Sequence, residues 1–343
     1  MKPKAFAPNC YYFEDLKNAG AVRIVGRTAF VGTKMTLDWS ASGILLNVRT
    51  AGECLEIVHE SNYAMYIAVQ ADGGEPVRFL TEGEGTLRIP LEAGEHTLSI
   101  LKDTEIPILA ESYSFWKELH FSGEFLPAPP EKPLYVEVIG DSIACGDGAL
   151  GVFTPGVNYA LADHSARASF AFVALELLGA DYSFVTRGGI GILRARDEFQ
   201  RRMKDIYEYV SPYHNRELRY DFSVRRPDLI LLELGANDGI FTIEEWVPAL
   251  DALVEQVRRL NGPVPILWVG KNQVKYEAVL EYIEKNQVPD MLAMQYSYGS
   301  SGAGSPSTAK AGHPNAAEQR EMGVAVAAFI QENFPCILSK TVS

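Results

Sequence analysis

A proline-rich seam, EFLPAPPEKP from Glu124 to Pro133, separates two stretches of this chain whose hydrophobic periods demand different folds. Before it, from about Ala21 to Ser122, short β segments follow one another: RIVGRTAFVG, KMTLDWS, GILLNVRT, CLEIVHE, AMYIAVQA, PVRFL, TLRIPL and HTLSILK. Turns such as AGE, ADGGEP, TEGEG and EAGE punctuate them, and no helical period intervenes, which is the pattern of an antiparallel jelly roll or sandwich. After the seam, near-continuous apolar strands alternate with helical stretches. The strands are LYVEVIG, YSFVTRGG, DLILLELG, PILWVG and MLAMQY. Helices are expected near Ala166–Gly179, Ala195–Tyr209 and Ile243–Leu260, from about Val274, and over Ala316–Asn333. Such alternation predicts a parallel sheet covered on both faces by helices, a three-layer α/β domain. Thr242 with Glu245 forms a T-x-x-E capping box that marks where the third helix starts. The expected division is an N-terminal all-β domain over 1–125, a linker over 126–133 and an α/β domain over 134–343. The 343 residues suit two domains, since single cores stop growing at roughly 250–300 residues.

Charge narrows the function. A formal net charge of −13 opposes binding to phosphate backbones, so nucleic acid is not an expected partner. No apolar run reaches the roughly 20 residues that span a bilayer, and the charge disfavours anionic membranes. The N-terminus, MKPKAFAPNCYYFEDLKN, lacks the pattern of a secretory signal, which gives a cytoplasmic expectation. Cys10, Cys54, Cys145 and Cys336 lack metal-site spacing, so neither a metal nor another cofactor is expected. Neutral substrates remain.

Ligands of open α/β sheets bind beyond the carboxyl ends of the strands. Four such ends carry polar or glycine-rich blocks. Gly140-Asp141-Ser142 follows the first strand, Arg187-Gly188-Gly189-Ile190-Gly191 the second and Gly235-Ala236-Asn237-Asp238-Gly239 the third; His313 lies in Gly312-His313-Pro314-Asn315 between the last strand and the last helix. Each block alone is open to a turn or structural reading. Together they supply what acyl transfer needs: a nucleophile, a base and donors for an oxyanion. Ser142 would attack while His313 takes its proton. The N–H groups of Ser142 and Gly189 and the Asn237 amide would hold the oxyanion. Asp141 and Asp238 adjoin site residues and are read as supports of loop geometry. Trp246, Tyr296 and Tyr298 could form a sugar platform, although core packing is the favoured reading for Trp246, because aromatics on helices usually bury. The Gly/Ser-rich run Ser297–Gly312 reads as a functional loop.

The order GDS, glycine loop, G-x-N-D and late His resembles the block pattern of SGNH/GDSL hydrolases. VGRTAF, LSILKDTEI, HFSGEFLPAPP, GDSIACGDG and YDFSVRRPDLILLELGANDG extend the similarity over nearly the whole chain to carbohydrate esterase family two. That resemblance implies a jelly roll joined to an SGNH domain and an esterase removing acetyl groups from carbohydrates such as acetylated xylo- or manno-oligosaccharides. Two departures matter. The D-x-x-H of SGNH enzymes reads Lys310-Ala311-Gly312-His313 here, and the glycine block carries Gly188 where serine is common. The family includes Ser–His dyads whose imidazole is oriented by a main-chain carbonyl, so the resemblance implies a dyad, with an acid from elsewhere as the alternative. Rival readings are an SGNH lipase or thioesterase acting on other small acyl esters, and a carbohydrate-binding protein with a decayed esterase site.

Overall fold

The computed structural model describes residues 3–107, 111–152, 160–196, 200–239, 241–288, 290–298 and 312–338. Contacts divide the chain into two compact units. One comprises Met1–Glu131 with Tyr209–Tyr220, the other Lys132–Glu208 with Asp221–Ser343.

The second unit is built on a five-stranded parallel sheet. Its strands lie in the order Asp181–Thr186, Tyr135–Gly140, Leu229–Glu233, Ile266–Gly270 and Met291–Gln295. Every residue of the Tyr135, Leu229 and Ile266 strands is buried, which explains their near-continuous apolar character, interrupted by the buried acids Glu137 and Glu233. The chain steps outward from Tyr135–Gly140 in one direction to its second strand and in the other to its third. The topological switch point therefore falls between Tyr135–Gly140 and Leu229–Glu233, whose carboxyl ends carry Ser142 and Asn237.

Local sequence fixes the surrounding helices. Thr242 caps Ile243–Asn261 through a reciprocal box, in which Glu245 N–H donates to Thr242 Oγ1 (3.3 Å) and Thr242 N–H to Glu245 Oε2 (3.1 Å). A second box, Asn315 with Glu318, starts Ala316–Asn333. The buried Gln319 amide on that helix donates to the Ile143 carbonyl (3.1 Å) and accepts from Phe170 N–H (2.7 Å). The helix that follows His313 is thus tied to the turn that follows Ser142. No helix among the described residues is long and apolar enough to cross a membrane.

The expected helix near Ala195–Tyr209 is not formed. Among the described residues only Met203–Ile206 is α-helical there, and Tyr209–Ser211 pairs with Asn215–Arg219 as a hairpin that groups with the first unit. Long-range contacts hold that hairpin: Trp39 Nε1 donates to the Tyr209 carbonyl (3.0 Å), and the Arg27 guanidinium lies 4.6 Å from the Tyr220 ring.

The first unit contains two six-stranded sheets in which every pairing is antiparallel. Burial alternates along Cys54–Ser61, as expected for strands with one covered face. Trp39 and Trp116 are buried within this unit. The unit is not purely β, because Phe13 and Leu16, three residues apart and both buried, anchor the short helix Phe13–Asn18. Leu126 at the start of the proline-rich seam belongs to the strand Glu124–Leu126, which pairs with Gly43–Ala51. Proline stiffens the seam, and its first residues are still part of a sheet edge.

Candidate active site

The turn after Tyr135–Gly140 forms because Asp141 caps a short helix, Ser142–Cys145, accepting the Ile143 N–H at 3.1 Å. Ser142 sits at its first position. Its Oγ lies 2.7 Å from His313 Nε2, bringing together residues 171 positions apart in sequence. The tautomer in which Nε2 accepts the serine hydroxyl carries its ring proton on Nδ1.

The glycine block is closed on itself. Arg196 N–H donates to the Gly189 carbonyl (2.8 Å), and Ile190 bridges to Ala195. Gly189 has φ 72°, a conformation that favours glycine. At Gly191 the reason for glycine is space, since a Cβ there would stand 2.2 Å from Asp238 Oδ1.

Asn237 joins the blocks. Its Nδ2 donates to the Ile190 carbonyl (2.9 Å) and to Asp141 Oδ2 (3.2 Å), so the nucleophile turn, the glycine block and the G-A-N-D loop meet at one amide. Both amide protons are engaged in this arrangement, and an arriving oxyanion would have to share one of them. Asp141, fully buried, also hydrogen-bonds the Glu233 side chain; burial is the main cause of its carboxyl being pushed up to about 6.

Asp238 is a support. Its Oδ1 accepts from Leu193 N–H (2.9 Å) and Arg194 N–H (3.1 Å), and its Oδ2 from Trp246 Nε1 (2.6 Å). Trp246 is therefore no platform for a sugar, because it is 0% exposed and its ring nitrogen is consumed by Asp238. Asp238→Ala should destabilise the protein by about 1–3 kcal/mol, since the buried Trp246 indole and two part-buried backbone N–H groups lose their acceptor. Denaturant unfolding checks this, and an unchanged midpoint would contradict the supporting role.

Tyr296 is buried as well, its hydroxyl donating to Glu233 Oε1 at 2.9 Å. Tyr298 is half-buried, with its ring stacked at 6.1 Å on Tyr296 and the Lys271 ammonium 3.7 Å from its centroid. A cavity of about 360 Å³ opens at the carboxyl ends of the third to fifth strands, lined among others by Ile143, Ala236, Trp268, Lys271, Lys275 and Tyr298. Lys275 is buried, donates to the Gly235 carbonyl, and is held below the ordinary ammonium range chiefly by desolvation. Glu233 and Lys275 escaped the sequence reading. A carboxylate closing the apolar strand LILLE is a readable signal, because an unpaired acid there would be costly. The Ser297–Gly312 loop and Lys310 lie largely outside the described residues, which resume at Gly312.

The second unit is thus a parallel-sheet α/β domain that brings Ser142 and His313 together at its topological switch point. Over about nine-tenths of its length the chain is similar in fold to family two carbohydrate esterases, and over 76% of its length it is similar in sequence to a carbohydrate esterase. A structure of such an esterase from Clostridium thermocellum in complex with cellohexaose matches with a TM-score of 0.81 at 22% identity, over 92% of this chain and 99% of that one. An acetyl xylan esterase, Est2A, from the rumen bacterium Butyrivibrio proteoclasticus matches with a TM-score of 0.79 at 21% identity, over 92% and 96%. In sequence, an acetylxylan esterase / glucomannan deacetylase from Cellvibrio japonicus is 24% identical over 276 residues, 76% of this chain and 75% of the relative. No family model matches the sequence.

Proposed function

We propose that this chain is a serine esterase that removes acetyl groups from carbohydrate hydroxyls, acting on acetylated xylo- or manno-oligosaccharides or similar sugars. The observation that carries the reading is the 2.7 Å contact between Ser142 Oγ and His313 Nε2 at the switch point of the sheet. Ser142 Oγ attacks the acetyl carbonyl as its proton passes to His313 Nε2. The oxyanion is held by the N–H groups of Ser142 and Gly189 and by the Asn237 amide, which then shares a proton now given to Ile190 or Asp141. Collapse releases the sugar hydroxyl, which takes the proton from His313 and leaves acetyl-Ser142. Water gives a proton to His313 and attacks that ester; collapse of the second tetrahedral intermediate breaks the acyl–Oγ bond, Ser142 Oγ takes the proton back from His313, and acetic acid leaves and ionises to acetate. Asp141 and Asp238 fix the two loops, and Tyr298, half-buried at the cavity edge, is the aromatic residue placed to contact a sugar. We read the two sheets of the first unit as a jelly roll.

The imidazole is oriented as in a dyad, its Nδ1–H given to a main-chain carbonyl, because Lys310 stands where SGNH enzymes carry an aspartate. A crystal structure should show a main-chain oxygen within about 2.6–3.2 Å of Nδ1. A carboxylate there, whose removal costs orders of magnitude in rate, would make the site a relocated triad.

The cavity beside Ile143 favours a second reading, in which it holds a longer acyl chain and the enzyme is a lipase or thioesterase. A series of chromogenic esters separates the two. Acetate should be preferred over butyrate and octanoate, with about 1–3 kcal/mol per methylene as the scale of rejection. Comparable rates on acetate and octanoate would favour the second reading.

A further inference from the structure

Behind the nucleophile turn lies a pair of buried acids that the acyl-transfer chemistry above does not use. Glu233 closes the third strand of the parallel sheet and is 2% exposed; Asp141 is 0% exposed. The backbone N–H of Asp141 donates to the Glu233 carbonyl (3.1 Å) and approaches its Oε2 (3.4 Å), and the two side chains hydrogen-bond one another.

Ionised carboxylates are acceptors only, so a hydrogen bond between two of them requires a proton on one. The surroundings say which. Asp141 accepts from Ile143 N–H, Ala236 N–H and Asn237 Nδ2, three donors that favour its charged form. Glu233 accepts the Tyr296 hydroxyl on Oε1, leaving Oε2 as the oxygen that faces Asp141. The carboxyl of Glu233 is held well above the usual range, first by burial and then by the Asp141 charge. The other ionisable groups around the pair are Tyr296 and Tyr298 after the last strand, Asp238 on the G-A-N-D loop, and Lys275 on the helix Gln273–Asn286. Only Lys275 among these is a cation, and desolvation weakens it.

We propose that Glu233 is a positioning residue of the esterase: as a neutral acid it donates to Asp141, accepts from Tyr296, and so sets the spacing between the turn bearing Ser142 and the loop bearing Asn237. Asp141 is the hub. Of its partners, Ile143 adjoins the nucleophile and Asn237 is the oxyanion donor, so the shared proton locks two catalytic groups into one frame. Deprotonating Glu233 would set two buried anions against each other and spread that frame. The inference rests on the esterase reading for its function and, for its proton, on the burial and close approach of the two carboxyls and on the donors around Asp141.

Glu233→Gln and Glu233→Ala test both parts. Glutamine reproduces the neutral acid, with an amide donor for Asp141 and a carbonyl acceptor for Tyr296. With a chromogenic acetate ester, Glu233→Gln should keep kcat/KM within about threefold of wild type at neutral pH and hold it at alkaline pH, where wild type declines. Glu233→Ala should lose about 10²-fold in kcat with little change in KM, the scale of a misplaced reacting group. Thermal unfolding gives a readout free of activity. A folded-state proton on a carboxyl raised above its unfolded range contributes stability that is lost as pH rises toward the folded pKa. The gap in Tm in favour of Glu233→Gln should therefore widen with pH. A glutamine variant as impaired as the alanine one, or a gap that does not change with pH, would overturn the proposal. A wild type without esterase activity would overturn the functional reading and the positioning role with it, while a widening gap would still show the shared proton.

Discussion

Replacing Ser142 with alanine should lower kcat/KM on an acetate ester by at least about 10⁴-fold without lowering Tm, because the change removes one hydroxyl and no core packing. His313→Ala should cost a comparable factor. Ser142 and His313 act as a unit, so the double variant should be no slower than either single one. The geometry behind this is the 2.7 Å contact between Oγ and Nε2, secured from one side by the Asp141 cap and from the other by Asn315 and Gln319. Retention of more than a few per cent of activity by folded Ser142→Ala would remove the nucleophile assignment. Multiplicative losses in the double variant would show that the two residues act in separate steps.

Asn237→Ala should reduce kcat by about 10²–10³-fold and leave KM almost unchanged, the signature of a donor that matters in the transition state and not in substrate binding. A stability cost of about 1–2 kcal/mol should accompany it, since the Ile190 carbonyl and Asp141 Oδ2 each lose a donor. Steady-state kinetics with denaturant unfolding separates the two effects. A rise in KM at constant kcat would instead make Asn237 a substrate-binding residue.

Local sequence signals made much of this architecture readable. The helix Ala316–Asn333 and the Thr242–Glu245 box follow from apolar period and capping chemistry that involve neighbours only. The four site blocks were readable because strand ends in a parallel sheet converge whatever lies between them. Features that depend on distant partners were not. The hairpin Tyr209–Ser211 with Asn215–Arg219 forms against Trp39 and Arg27, far away in sequence, and its residues alone suit a helix as well. The strand Ser114–His120 hides its alternation behind a bulge between Trp116 and Glu118, which shifts the pairing register. Trp246 could be placed on a helix and read as a core residue from sequence, but its bond to Asp238 could not be foreseen. Asp141 was legible as a loop support. Its bond to Glu233 was not, because Glu233 ended a strand whose apolar run set the reading.

The central claim is that Ser142 and His313 deacetylate carbohydrates, and acetate release from acetylated xylo-oligosaccharides tests it most directly. Purified protein should release acetate progressively at neutral pH and leave the glycosidic bonds intact, while the Ser142→Ala protein releases none above background. Absence of acetate from wild type on acetylated xylo- and manno-oligosaccharides alike, or equal release by the alanine variant, would contradict the account.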